Sequence, residues 1–324
     1  MNEITKLQPG LEPGVGVSSG GGPAITLRQG DGLDAHTRRT LLQQERAIAR
    51  KYSSNGKAMW PYTVITLGCF AMWLAFWPLA MLDIMPLWIG FPLSCIFAAG
   101  GYITSHEAMH SNIGRPGTPQ RFWNEAVGEV ATIILIFPFS MARMMHLHHH
   151  YYTNDPEKDP DYTDAAPGKY SAWYKTWLNR QPGVDGSIHH YKRVLERIGT
   201  PAAKKALRDT MLLQLFSMAF FFAMSWAGYA MEVALLWWLP RHIGLSYIRY
   251  WLSWAPHHPR TGTGRYDNTR VFRTWIGHWL SMGMQYHVVH HLYPEVPNHL
   301  TRSAYRELKP ILEARGVDCS PLKD

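Results

Sequence analysis

Three groups of histidines carry the chemistry that this sequence offers. They are His106-Glu107-Ala108-Met109-His110, His146-Leu147-His148-His149-His150 and His287-Val288-Val289-His290-His291. As patterns they read HxxxH, HxxHH and HxxHH. Residues three and four apart share a face of a helix. Each set therefore presents its imidazoles in one direction: His106 with His110, His146 with His149 and His150, and His287 with His290 and His291. Neutral imidazole suits zinc, copper, iron and nickel. Eight such rings exceed the four positions of a tetrahedral zinc site, so the pattern implies two metal ions. In the second group a helix turns about 100° per residue, which leaves His149 and His150 about 60° and 40° to either side of His146. His148 lies about 200° round from His146, on the opposite face.

These groups sit beside long apolar runs. Residues 61–81 hold no charge and are long enough to cross a bilayer. Asp83 breaks the run, and residues 85–104 form a second one that delivers His106 and His110 just past its end. Residues 211–229 make a third. A fourth, 233–254, contains Pro240, Arg241 and His242 near its middle; either the helix breaks there or the span starts earlier and ends near Leu239. The hairpin tip near Asp83 has no Lys or Arg, whereas the opposite ends meet Arg50, Lys51, Lys57, Arg115 and Arg121. The positive-inside rule puts those ends and the first histidine group in the cytoplasm. The expected fold is all-α and integral to the inner (cytoplasmic) membrane, with four transmembrane helices in two hairpins. A helical cap on the cytoplasmic side holds the metal site.

Between the hairpins, residues 126–145 read as one buried or surface-lying helix that runs into the second group. Residues 151–162 form a polar turn-rich loop. Residues 163–208 read as basic helices touching headgroups. Residues 1–33 are rich in Gly, Pro and Ser and read as a disordered tail, leaving 34–324 as one domain. The start of that domain, to Lys57, reads as a basic helix at the membrane surface or a solvated amphipathic one. The chain of 324 residues carries a formal net charge of +8, with Trp 14, Tyr 16 and Phe 12. Beside apolar runs these features point to a membrane, and no nucleic-acid motif accompanies the charge. Cys69, Cys95 and Cys319 make no CxxC pair and so neither an iron–sulfur motif nor a disulfide framework.

Two other chemistries use some of these residues. Glu107 makes the first group a literal HExxH, the signature of zinc proteases, but that mechanism leaves six clustered histidines unexplained. A metal transporter would place its ligands within the membrane spans, and here they lie past the span ends.

Residues 60–312 resemble the membrane fatty-acid desaturase and hydroxylase family, through HxxxH…HxxHH…HxxHH as a set. His-His-Tyr-Tyr-Thr-Asn-Asp-Pro-Glu-Lys-Asp-Pro-Asp after the second group is similar to the desaturase-type β-carotene hydroxylases and ketolases. So are Trp-Ala-Pro-His-His-Pro at 254–259, Arg-Tyr-Asp-Asn-Thr-Arg at 265–270 and Tyr-His-Val-Val-His-His-Leu-Tyr-Pro-Glu-Val-Pro at 286–297. The resemblance implies two non-haem irons held by the eight histidines, O2 as co-substrate, and a membrane lipid or carotenoid substrate. It also implies a ninth histidine upstream of the third group, which His257 or His258 can supply, His258 being preferred. Glu107, Asp155, Asp159 and Asp161 are candidate acceptors for the ligands' N–H groups. With no haem or flavin motif in the chain, electrons are expected from a separate donor such as ferredoxin and its reductase. The expected activity is carotenoid hydroxylation, with acyl-lipid desaturation as the alternative.

Overall fold

The computed structural model describes residues 32–54, 59–181 and 183–322, so the expected disordered tail lies almost wholly outside the described residues. Those residues contain helices and no strand. Three helices are long and apolar enough to cross a membrane: α2 (Trp60–Met81), α3 (Leu87–Met109) and α8 (Pro201–Trp226). Their outward faces are apolar as well; Val64, Met72, Phe216, Phe222 and Trp226 are all exposed. A helix apolar all round is stable only where its outer face meets something other than water.

Helices α2 and α3 form a hairpin through a tight turn at Asp83, and Phe76 stacks on Phe97 across it. The helix that pairs with α8 corrects the doubt about Pro240. Residues 230–257 are one continuous helical run, α9, which passes through π-helical turns at Ala234–Trp238 and Arg249–Trp254. The chain does not break at Pro240 because that residue opens the α-helical segment Leu239–Ile248 directly after a π turn. There the i→i−4 donor that proline lacks is not needed. At 1.5 Å per residue the run spans about 40 Å. It turns back along α8, with Phe220 and Phe221 against Trp237. It also crosses α3 closely: a Cβ on Gly244 would lie 2.8 Å from that of Ala98. Small residues at such crossings let two backbones approach.

The expected single helix over 126–145 is two. Helix α4 (Arg121–Ile133) stops, the chain turns through Ile136 at φ 52°, and α5 (Phe139–Tyr152) starts after Pro138. Proline disfavours helical geometry in the residue before it and suits the first turn of the next helix. α6 (Lys169–Leu178) and α7 (Ser187–Ile198) follow. After α9 come the short α10 (Gly277–Leu280), α11 (His287–Leu292) and α12 (Thr301–Ala314).

The first helix, α1 (Ala35–Tyr52), is amphipathic as expected, with Glu45 and Ala49 buried and its other face exposed. It docks on α12 through an ion pair buried at both ends, Arg315 Nε to Glu45 Oε1 at 3.2 Å. Tyr266 and Tyr293 donate their hydroxyls to the same carboxylate at 3.0 and 2.9 Å. Removing one partner of a buried pair strands the other charge. Glu45→Ala should therefore lower the unfolding free energy by about 3 kcal/mol or more. A Glu45→Met/Arg315→Met double variant should lose less. Denaturant titration of the detergent-solubilised protein followed by tryptophan fluorescence measures both; a single variant as stable as the double would refute the account.

Candidate metal centre

All three histidine groups arrive at the same end of the helix bundle. His106 lies on the last turn of α3, and His110 caps that helix just before Ser111 turns the chain at φ 60°. His146, His149 and His150 lie on α5, and His287, His290 and His291 on α11. Long helices deliver the first two groups, and the third rests on a short helix packed against the cap core around Val288, Val289 and Leu308.

The ligand-capable atoms separate into two sets of four. His106, His110, His146 and His290 form one; His149, His257, His287 and His291 form the other; within each set the atoms lie within 4.8 Å of one another. His150 stands between them. Its Nε2 is 3.1 Å from that of His146 and 2.9 Å from that of His290, while its ring stacks on His291. His110 Nε2 approaches His146 Nε2 to 2.8 Å, and His149 Nε2 approaches His257 Nε2 to 3.2 Å. Two nitrogens bound to one first-row metal at right angles, each about 2.1 Å from it, stand about 3 Å apart. Both ring nitrogens of His106 and of His287, and Nε2 of His291, are buried with no hydrogen-bond partner among the described residues. Buried polar atoms without partners are rare. The donor set and its orphaned nitrogens fit two metal ions.

Electrostatics prepares these rings to bind. Burial first, and then repulsion from neighbouring imidazoles, hold His110, His146, His150, His287, His290 and His291 well below the usual histidine range. The neutral ring is the form that ligates. His149 differs. Burial opposes its charge, but the Asp159 carboxylate overrides burial and lifts it to about 9. His149 Nδ1 donates to Asp159 Oδ1 at 2.7 Å, which aims Nε2 at the centre. A proton or a metal ion on Nε2 satisfies the same carboxylate.

Asp159 is the one of the four candidate acceptors that touches a clustered histidine. Asp155 caps the turn at Glu157 and Lys158. Asp161 accepts from Tyr191 and lies 3.5 Å from Arg249. Glu107 accepts from Asn112 Nδ2 at 2.8 Å and from the Asn298 amide at 2.7 Å. It pins a loop, and with both oxygens so occupied it is not placed to act as the base of an HExxH protease. The structure also corrects the preference for His258. That ring stacks on Trp254, outside both sets. His257, at the end of α9, turns inward, with Nδ1 held by the Asn268 carbonyl at 3.0 Å and Nε2 left for the centre. His148 packs on Tyr152, away from both sets, as its place on the helix predicts. The Asn268 carbonyl has no signature in sequence, although Asn154 hints at the turn by bridging the carbonyls of Gly262 and Asn268.

A cavity of about 610 Å3 leads to the centre and is bordered by His106, His146, His149 and His287, members of both sets. Leu135, Ile136, Met141, Leu245, Ile248 and Leu252 make much of its wall, and Arg180, Arg241 and Arg249 reach into it. A mostly apolar cavity with a few convergent polar groups has the form of a small-molecule site.

Comparison with known proteins gives a consistent set of likenesses. A family model for fatty acid desaturases matches residues 83–323, which include all three histidine groups. The sn-1 oleoyl-lipid 12-desaturase of Picosynechococcus sp. is 23% identical over 285 residues, covering 80% of this chain and 78% of that protein. The dihydrorhizobitoxine desaturase of Bradyrhizobium elkanii is 25% identical over 266 residues, covering 75% and 70%. A beta-carotene ketolase of Haematococcus lacustris is 27% identical over 107 residues, 32% of each chain.

Paired substitutions test the geometry. His149→Ala and His257→Ala should each remove metal from the protein, since a methyl group cannot replace a ligand. His148→Ala and His258→Ala should keep most of it. Metal per chain, measured by mass spectrometry on the four purified proteins, decides the matter; equal losses from His148→Ala and His149→Ala, or from His257→Ala and His258→Ala, would contradict the arrangement. Asp159→Asn keeps the shape but not the charge, and should weaken metal retention about 10- to 100-fold against a chelator.

Proposed function

This chain belongs to the fatty acid desaturase family, and we propose that it is a membrane-bound di-iron oxidoreductase that uses O2 to introduce a double bond into an acyl chain. The observation that carries this reading is the convergence of nine imidazoles, two sets of four with His150 between them, at the end of a largely apolar cavity. Acyl-lipid desaturation stands ahead of carotenoid hydroxylation because the likeness to the oleoyl-lipid desaturase runs along most of the chain, whereas the likeness to the ketolase covers a third of it.

Two irons, when bound, supply the activation of O2, with two electrons entering from a separate donor. The overall change is then balanced: a CH2–CH2 unit loses two hydrogens, and O2 with two electrons and two protons leaves as two waters. The residues of the chain do the rest. Nine histidines would hold the metals, and Asp159 and the Asn268 carbonyl fix two of those rings. The apolar wall lays a methylene beside them and excludes water. Arg249 pairs with Asp164 at 2.7 Å and donates to Tyr191, which donates to Asp161, so that the polar groups on one side of the cavity satisfy one another.

In the membrane, α2, α3, α8 and α9 are the proposed four spans, in two hairpins. The tips at 82–86 and 227–229 carry no Lys or Arg, and the opposite ends are basic, which orients the metal centre toward the cytoplasm. Arg193, Lys205 and Arg208 face outward there, each beside a carboxylate. They offer a charged surface to an acidic ferredoxin-like donor.

Expression in a host that makes both saturated and monounsaturated acyl lipids and β-carotene separates the two activities. Fatty-acid methyl esters should show a new double bond in cells carrying the chain and none in cells carrying His149→Ala, with pigments unchanged. A new hydroxy- or keto-carotenoid with unchanged acyl chains would reverse the order of the two readings.

A further inference from the structure

The three arginines that reach the cavity differ in one respect. Arg249 is neutralised by Asp164 and Asp161 at 2.7 and 3.5 Å. Arg180 and Arg241 meet no carboxylate at ion-pair distance among the described residues; their contacts are neutral acceptors. Arg180 Nη2 donates to Ser246 Oγ at 2.6 Å and to the His242 carbonyl at 3.3 Å. Its Nε and Nη1 are buried and without a hydrogen-bond partner among the described residues. Arg241 Nε donates to the Leu135 carbonyl at 2.9 Å, and its Nη1 lies 3.4 Å from His242 Nε2. The two guanidinium groups thus flank one residue, His242, and both line the same cavity.

An unpaired buried cation is costly. Arg241 lies near the middle of α9, between apolar stretches, where a charge is rarely kept without a task. Burial, with Arg249 and Arg241 close by, pushes Arg180 down to about 10, the mark of a cation short of a counter-charge. Arg180 also borders a second, smaller cavity of about 260 Å3 with Trp173, Trp177 and Tyr247. Aromatic rings of this kind favour the level of lipid headgroups. A planar guanidinium matches the paired oxygens of a carboxylate or phosphate.

We propose that Arg180 and Arg241 bind the anionic group of the molecule that fills the cavity, a carboxylate or phosphate carried on a long apolar chain, and so select an anionic amphiphile over a neutral hydrocarbon. The proposal rests on the cavity being the substrate site, and it names what distinguishes that substrate from a carotene.

The test uses the full chain in phosphatidylcholine nanodiscs, photolabelled with a diazirine-bearing stearyl alcohol. Stearate, 1-stearoyl-lysophosphatidate and stearyl alcohol compete for the label, and iron per chain is measured on the same preparation. At least one anionic competitor should act at about tenfold lower concentration than the alcohol. Which one does so identifies the source as a free carboxylate or a lipid phosphate. Arg180→Gln and Arg241→Gln should abolish that advantage while leaving iron content and competition by the alcohol unchanged. Arg241→Lys, which keeps charge but loses the fork, should retain part of it. Equal competition by all three ligands, or an advantage that survives both glutamine variants, overturns the proposal. If a glutamine variant does not fold, the ranking on the unaltered chain still decides. Low iron with the anionic preference intact would count against the di-iron reading alone.

Discussion

Nine imidazoles confined to one buried volume set the terms for the rest of the molecule. Each ring brings two nitrogens that water would otherwise satisfy, and any two protonated neighbours repel. A protein can hold such a group together only if something replaces both the water and the protons. The fold supplies one part of this through Asp159 and the Asn268 carbonyl, which take the outward N–H groups of His149 and His257. Among the remaining nitrogens, both of His106, both of His287 and Nε2 of His291 are buried without a hydrogen-bond partner among the described residues and so are left for cations to share.

Holding the rings from opposite sides is a mechanical task, and the two halves of the molecule divide it. Long helices fix His106, His110 and the α5 histidines by helix crossings such as Gly244 on Ala98. The third group has no such support, since α11 is only six residues long. It is steadied by the cap, where Val288 and Val289 pack beside Tyr305 and Leu308. Glu45 gathers Arg315, Tyr266 and Tyr293 around one carboxylate. Tyr293 lies two residues after His291, and Tyr266 lies in the loop that carries Asn268. Through this carboxylate the first described helix joins the segments that carry His291 and Asn268.

What could be read from the sequence follows the range of the forces involved. The faces of the histidine groups were legible because they depend only on helical repeat, and His148 lies where that repeat sends it. The α2–α3 hairpin was legible because an uncharged run broken by Asp83 has few alternatives. The division of 126–145 into α4 and α5 was misread because apolar content hid the effect of Pro138. The choice of His257 over His258 depends on a carbonyl eleven residues away, and the choice of Asp159 over its acidic neighbours on how one turn folds. Neither leaves a local mark. Docking of α1 through Glu45 was invisible for the same reason, its partner lying 270 positions along the chain.

The π turns of α9 bear on how this chain compares with its relatives. Each such turn holds one residue more than an α turn. An ancestor with a plain α-helix could have acquired that residue as a single-codon insertion, absorbed as a bulge without resetting the rest of the helix. Two bulges upstream of His257 mean that a gap-free alignment against a relative lacking them would drift by one position at each. The counterpart of His257 would then be matched to a neighbouring residue. Counting residues forward from the second histidine group is therefore an unsafe way to find the counterpart of His257 in a relative, and the geometry of the helix end is the safer guide.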